Sequence, residues 1–376
     1  MTEISFVRTE TLPELPPPVA ERGMVKWLRE NLFSSVINGI LTIIALWAVY
    51  KFLAFAVPWI ASGVWNTESL AACRDVLDGS RGACFSVLTE RWNQLLFGIS
   101  YPAEHYWRPT MAFVLLLFAA APVLFFDLPR KLLIFTGVYP FIAYWLIWGG
   151  TIWSPVFALG GIVTGYVFYA KFIQSSFAIA LFGGVATAFI TWILSGYIIP
   201  SISPETPFFE AVPSRNMGGF MLNMILGTVC VSLSLPLGIM LALGRQSNMP
   251  VIKAICVVFI EFIRGVPLIT LLFVANVVLS YFFPPDANID LVLRVIIMIT
   301  LFSAAYIAEV IRGGLAALPI GQYEAADSLG LDYPQAMRLI ILPQALKISI
   351  PGIVNVSVGL FKDTTLVSVI SMFDLV

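Results

Sequence analysis

Nine stretches of this chain, at about 35–60, 110–127, 132–149, 153–170, 176–199, 218–243, 254–283, 291–311 and 348–373, are apolar runs bounded by turn residues and charges. A helix needs about 20 consecutive apolar residues to cross the hydrocarbon of a bilayer. Helices are the required form, because every backbone N–H in that medium must be paired within its own segment. Composition agrees: 59% of the residues are hydrophobic and 11% charged, whereas soluble chains carry about 25% charged residues. The mean hydropathy is +0.91. The expected fold class is therefore an all-α polytopic membrane protein with about nine transmembrane helices, of which 153–170, short and glycine-rich, is the least marked.

The same arithmetic excludes several function classes. Lys plus Arg number 21 and Asp plus Glu 22, a net charge of −1, so there is no basic field to attract nucleic acid. One histidine, His105, cannot build a histidine metal site, and no Gly-Lys dipeptide exists to form a phosphate-binding loop. Neither a cofactor nor a metal is expected. Tryptophans crowd the first half of the chain, which suits anchoring at the bilayer interfaces better than chemistry.

Positive charge sets the expected orientation. With the N-terminus on the cytoplasmic side, twelve Lys and Arg fall in inner segments and five in outer ones. Residues 1–34, with Pro13 and Pro16 to Pro18, then form a cytoplasmic tail and not a signal peptide. Extra transmembrane helices occupy 35–200, with an outer loop at 61–109, and 201–217 is an outer linker. The informative part is 218–376, with an inner loop at 312–347. In the outer loop Cys73 and Cys84 face the oxidising side. They either close the loop as a disulfide or stay as two thiols.

Charges inside or beside the later runs are costly, about 2.5–3.5 kcal/mol at a helix centre, so such groups face the bundle or a water-filled path. Glu261 with Arg264 and Glu309 with Arg312 are i,i+3 pairs that can meet on one helix face; the alternative is that both pairs snorkel to the inner surface. Lys362 and Asp363 are adjacent and need separate partners.

The inner loop has the most specific pattern. Gly321 to Leu329 reads as a short helix, Gly330 as its left-handed stop, and Asp332 as the N-cap of a second helix with Pro334 in its first turn. Pro343 marks the next break. Small Ala325 and Ala326 allow another protein to approach closely, with Glu324 at the rim. The spacing Glu324-Ala325-Ala326, Gly330, Ile340, Leu342-Pro343 resembles the EAA loop of bacterial ABC importer permeases. Three further stretches, Glu261 to Pro267, Tyr306 to Gly314 and Leu360 to Leu366, are similar to the polar amino-acid (histidine/glutamate/glutamine/arginine) permeases. The added N-terminal spans look most like the general L-amino acid permease, AapM type.

That resemblance implies a type I ABC importer permease core at 218–376, in a multi-pass protein of the bacterial inner membrane. It implies four kinds of partner: an ABC ATPase docked on the EAA loop, a second homologous permease subunit, a periplasmic amino-acid-binding protein and the transported L-amino acids. The chain itself is then a transport subunit without ATPase activity, and Glu261, Arg264, Glu309, Arg312, Lys362 and Asp363 are translocation-path or structural charges. Family members carry a further span after the Lys-Asp-Thr region. Here 13 residues follow Asp363, so the core is expected to lack its last helix or to have it supplied otherwise. Two rivals stand beside this reading. A proton- or sodium-coupled secondary transporter would use Glu309 or Asp363 as coupling carboxylate but leaves the EAA spacing unexplained. A membrane enzyme would need a convergent catalytic constellation, which His105 alone does not provide.

Overall fold

The computed structural model describes residues 23–79, 81–173, 177–202, 209–278, 281, 290–370 and 372. The first 22 residues of the expected tail, the middle of the linker and the end of the 254–283 run lie outside them. Among the described residues the regular structure is helical. A first compact unit extends to Arg91 and a second begins at Trp92. The division expected at the 201–217 linker is thus not where the compact units part. Residues 209–217 pack with the helices on either side of them, so Phe97, Tyr101, Leu146, Ile147, Val212, Met217 and Met221 share one core.

The first unit holds α1 (Gly23–Asn31), α2 (Val36–Ala61), α3 (Leu70–Leu77) and α4 (Ser86–Glu90). The Ser35 side chain caps α2 by accepting from the Asn38 N–H. No residue of α2 is buried, which suits a helix whose solvent is lipid. Cys73 and Cys84 are disulfide-bonded, with their Cα atoms 6.2 Å apart. Closing a loop of this size stabilises it by about 3 kcal/mol through the unfolded ensemble. Cys73→Ser is therefore expected to expose 70–85 to limited proteolysis under conditions where the oxidised wild type stays intact; equal cleavage would show that the bond does not hold the loop.

The second unit runs α5 (Trp92–Phe97), α6 (Trp107–Leu124), α7 (Leu132–Trp148), α8 (Trp153–Phe172), α9 (Phe177–Ile202), α10 (Gly219–Gln246), α11 (Pro250–Gly265), α12 (Leu268–Phe273), α13 (Leu291–Ala316), α14 (Gly321–Ser328), α15 (Tyr333–Ala336) and α16 (Leu342–Asp363). Every expected run is represented by a helix. Among the described residues six helices, with α15 to the turn after α16 taken as one, are long and apolar enough to cross a membrane. Leu132–Trp148 and the Gly183–Ile199 part of α9 are shorter apolar helices.

The weakest run, 153–170, is a full 20-residue helix packed on α9. Its glycines explain both the weak signal and the packing. A Cβ on Gly165 would lie 2.6 Å from Gly184 O, and one on Gly184 2.9 Å from Gly165 O. Small residues let two backbones approach where lipid supplies no hydrophobic drive between helices.

The run 254–283 is not one continuous span. It breaks at Val266-Pro267, and the two pieces are bent by 103°. Pro267 lacks an N–H and pushes Val266 to extended backbone (φ −105°, ψ 132°). A second correction concerns Pro343, which does not end a helix. A π-turn at Met337–Ile341 precedes it, and α16 continues from Leu342. The wider turn relieves the clash that a proline ring makes with the carbonyl four residues back.

Two ends of this unit are distinct. At one end the segments 97–108, 147–150 and 209–219 are tied together. The Tyr101 hydroxyl donates to Ile147 O, Arg108 Nη1 to Glu210 O and Trp148 Nε1 to Ser214 Oγ, at 3.0, 2.9 and 2.7 Å. Burial pushes the Tyr101 hydroxyl above its ordinary pKa, and the Arg108 charge opposes that shift. At the other end lie the C-terminal ends of α10 and α13, with α11 and the helices α14 and α15.

Candidate functional site

The 312–347 loop folds as its local chemistry demands. Helix α14 ends in a left-handed residue, Gly330, at φ +73°. Gly330 N–H donates to Asp327 O at 2.9 Å and Leu331 N–H to Ala326 O at 3.2 Å, the paired bonds of a Schellman stop. Asp332 caps α15, its carboxylate accepting from the Gln335 N–H at 2.9 Å. Gln344 Nε2 reaches back to Gln322 Oε1 at 2.9 Å, so α14 is tied to the start of α16.

This hairpin of helices is seated on the bundle. Leu318, Met337 and Ile341 are buried in one cluster with Ala242, Ile260, Ile307, Ala308 and Ile311, and Tyr323, Ile340 and Leu342 pack on it. Burial raises the Tyr323 hydroxyl pKa, and nearby Tyr333 adds to the shift.

The alanine pair divides its work. Ala326 is fully buried, so it faces inward within the fold and not toward another protein, while α14 packs on α15 and on the Met337–Ile341 turn. Ala325 and Glu324 are exposed, as are Gly330 and Pro343. Around them stand apolar side chains that the sequence pattern did not single out: Ile320 and Leu329, each 74% exposed, Leu339 at 64% and Tyr333 at 60%.

Directly behind the loop the two expected ion pairs merge into one network. Glu309 Oε1 accepts from Arg312 Nε at 2.8 Å and pairs with Arg312 Nη2 at 2.6 Å. Arg245 Nη1 lies 2.8 Å from Glu261 Oε1 and 3.2 Å from Glu309 Oε2. Arg264 Nη1 stands farther off, 3.9 Å from Glu261 Oε2 and 3.7 Å from Glu309 Oε2, with its guanidinium over the Tyr306 ring at 5.5 Å. Arg245 was legible only as an inner-side cation at the end of a run. What recruits it is the packing of α10 against α11 and α13, which no local pattern encodes.

Lys362 and Asp363 close α16, remote in sequence from this network; Lys362 is exposed and Asp363 half-buried. The next residue, Thr364, is fully buried, its hydroxyl 3.3 Å from Asn223 Oδ1 of α10.

Comparison with known proteins gives the family. Residues 234–375 match the family of binding-protein-dependent transport system inner membrane components. The glutamate/glutamine/aspartate/asparagine transport system permease protein BztC of Rhodobacter capsulatus is 52% identical over 100% of this chain and 88% of its own. The inner membrane amino-acid ABC transporter permease protein YhdY of Escherichia coli is 37% identical over 98% of this chain and 85% of its own. A crystal structure of an amino acid ABC transporter with histidines is 35% identical and covers 41% of this chain and 71% of that one, with a TM-score of 0.38. The secondary-transporter reading is not favoured by these relatives. A multi-pass helical architecture, an EAA-spaced helical hairpin and relatives of one kind matched over most of their length converge: the chain belongs to the permease subunits of amino-acid ABC transporters.

Proposed function

We propose that this permease works in the bacterial inner membrane with its N-terminus in the cytoplasm. It pairs with a second homologous permease subunit, receives L-amino acids from a periplasmic binding protein and is driven by a separate ABC ATPase docked on α14 and α15. The observation that carries the proposal is the helical hairpin itself. It is fastened to the bundle by Leu318, Met337 and Ile341, with Tyr323 packed against them, and leaves Ala325, Ile320, Leu329, Tyr333 and Leu339 exposed. A body held this way moves with the helices it is fastened to, which is what transmission of an ATPase stroke needs. Glutamate, glutamine, aspartate and asparagine, named for the 52% identical relative, are the first substrates to test.

Purification of the tagged chain in mild detergent, with mass spectrometry of the co-purifying proteins, tests the assembly. An ABC ATPase and a second permease are expected. A folded chain recovered alone would overturn the proposal.

Lys362 and Asp363, at the end of α16 facing away from the coupling hairpin, are proposed to line the translocation path. Lys362→Ala and Asp363→Ala are each expected to lower uptake by about tenfold or more, the loss of one charge-assisted contact of about 1.5–3 kcal/mol, with the complex intact. Unchanged uptake kinetics in both variants would remove these residues from the path.

A further inference from the structure

The network behind the coupling hairpin contains three guanidinium groups and two carboxylates. It cannot satisfy all its members at once. Arg312 and Glu309 belong to one helix and hold each other through two nitrogens on Oε1; that pair is fixed whatever the helices do. The contacts of Arg245, and that of Arg264 with Glu309, cross between helices, while Arg264 and Glu261 share α11. Arg245 of α10 uses a single nitrogen, Nη1, for both Glu261 of α11 and Glu309 of α13. Arg264 of α11 faces the same two carboxylates at ion-pair distance without a hydrogen bond, and its Nε is buried with no partner.

Arg264 is thus an under-supplied cation beside the two acceptors that Arg245 occupies. If α10 withdrew from α11 and α13, Arg245 would lose both its hydrogen bonds, and Arg264, already at ion-pair distance from both carboxylates, would take up the freed oxygens in its place. An exchange in which new charge-assisted hydrogen bonds offset those lost brings two arrangements closer in free energy, the condition for a ligand-driven population shift. The seat of this exchange is Ile260, Ile307, Ala308 and Ile311, which also carry the coupling hairpin.

We propose that Arg245 is a positioning residue of the transport cycle, latching the inner end of α10 to Glu261 and Glu309, and that Arg264 replaces it on Glu309 when the inner ends part. The proposal rests on the ATPase-driven reading above. It concerns how the stroke is resisted and released, not which groups touch the amino acid.

The test uses the complete complex, with its ATPase and binding protein, in proteoliposomes. Two quantities are read: ATP hydrolysis without binding protein, and amino acid delivered per ATP with it. Arg245→Gln removes the latch and is expected to raise the unstimulated hydrolysis about five- to tenfold, the size of a typical coupling, and to lower the delivery ratio by a similar factor. Arg264→Gln leaves the latch closed and is expected to leave unstimulated hydrolysis at the wild-type rate while slowing stimulated transport. The double variant should differ from the product of the single effects, since both residues act on one carboxylate. Arg245→Lys, which keeps a cation but offers a point charge in place of a planar fork, guards against misassembly and is expected to raise unstimulated hydrolysis less than the Gln variant.

Wild-type hydrolysis and delivery in Arg245→Gln, at equal complex abundance, would overturn the latch. So would a Lys variant equal to wild type in both readings if the Gln variant does not assemble. A wild-type complex with no binding-protein-dependent uptake would instead overturn the importer assembly, leaving the two failures distinguishable.

Discussion

Gly330→Asp is expected to leave the permease in the membrane at near wild-type abundance and to reduce its co-purifying ATPase and its uptake by about tenfold or more. The glycine adopts φ +73°, and a Cβ at that position meets nothing within 4 Å. Steric collision therefore contributes nothing; what changes is backbone strain and charge. A left-handed conformation costs an L-residue about 1–2 kcal/mol, and Asp is among the residues that tolerate it best, so the Schellman stop survives. The new carboxylate, however, joins Glu324, Asp327 and Asp332, all exposed on the same hairpin. A docked partner must desolvate it beside the apolar groups Leu329 and Tyr333. Loss of about 1.4 kcal/mol already weakens docking tenfold. Gly330→Ala carries the strain without the charge and should be milder. The paired pull-downs and uptake rates decide: a Gly330→Asp protein that retains its ATPase and transports normally would take Gly330 out of the docking surface.

Glu309→Gln is expected to be the most destabilising single change among the charges behind the hairpin. Glu309 alone is within 4 Å of all three guanidinium groups. Removing one partner of a buried ion pair costs about 3–5 kcal/mol. The Glu309 side chain is 22% exposed, so solvent screening brings the expectation to about 2–3 kcal/mol. Glu261 is 53% exposed and touches only Arg245 and Arg264, so Glu261→Gln should cost under about 1 kcal/mol. Denaturation midpoints of the purified complexes give the comparison. Equal losses for the two variants would show that the network is not centred on Glu309.

The difference between these two glutamates illustrates what was legible beforehand and what was not. Both i,i+3 pairs could be read from spacing, because two residues three apart on a helix are neighbours whatever surrounds them. That the pairs form one network through Arg245 depends on how α10 lies against α11 and α13. The break at Val266-Pro267 had a local signal, proline after an extended residue, yet the hydropathy of the whole run concealed it. Helix α8 had the opposite problem: Gly161 and Gly165 diluted its hydropathy while serving its contact with α9.

Sequence by itself determined the membrane-spanning class, the helical hairpin with its Gly330 stop and Asp332 cap, and through the EAA spacing the kind of transporter. Each of these follows from short-range chemistry: backbone pairing in lipid, the φ a glycine permits, the hydrogen bond a side chain makes three residues on. Tertiary structure decided the rest. It buried Ala326 and exposed Ala325, left Ile320, Leu329, Tyr333 and Leu339 exposed, drew 209–217 into the second compact unit and placed Arg245 between two glutamates. These depend on which helix faces meet, and in a chain apolar around most of each helix the periodicity that would mark those faces is largely absent.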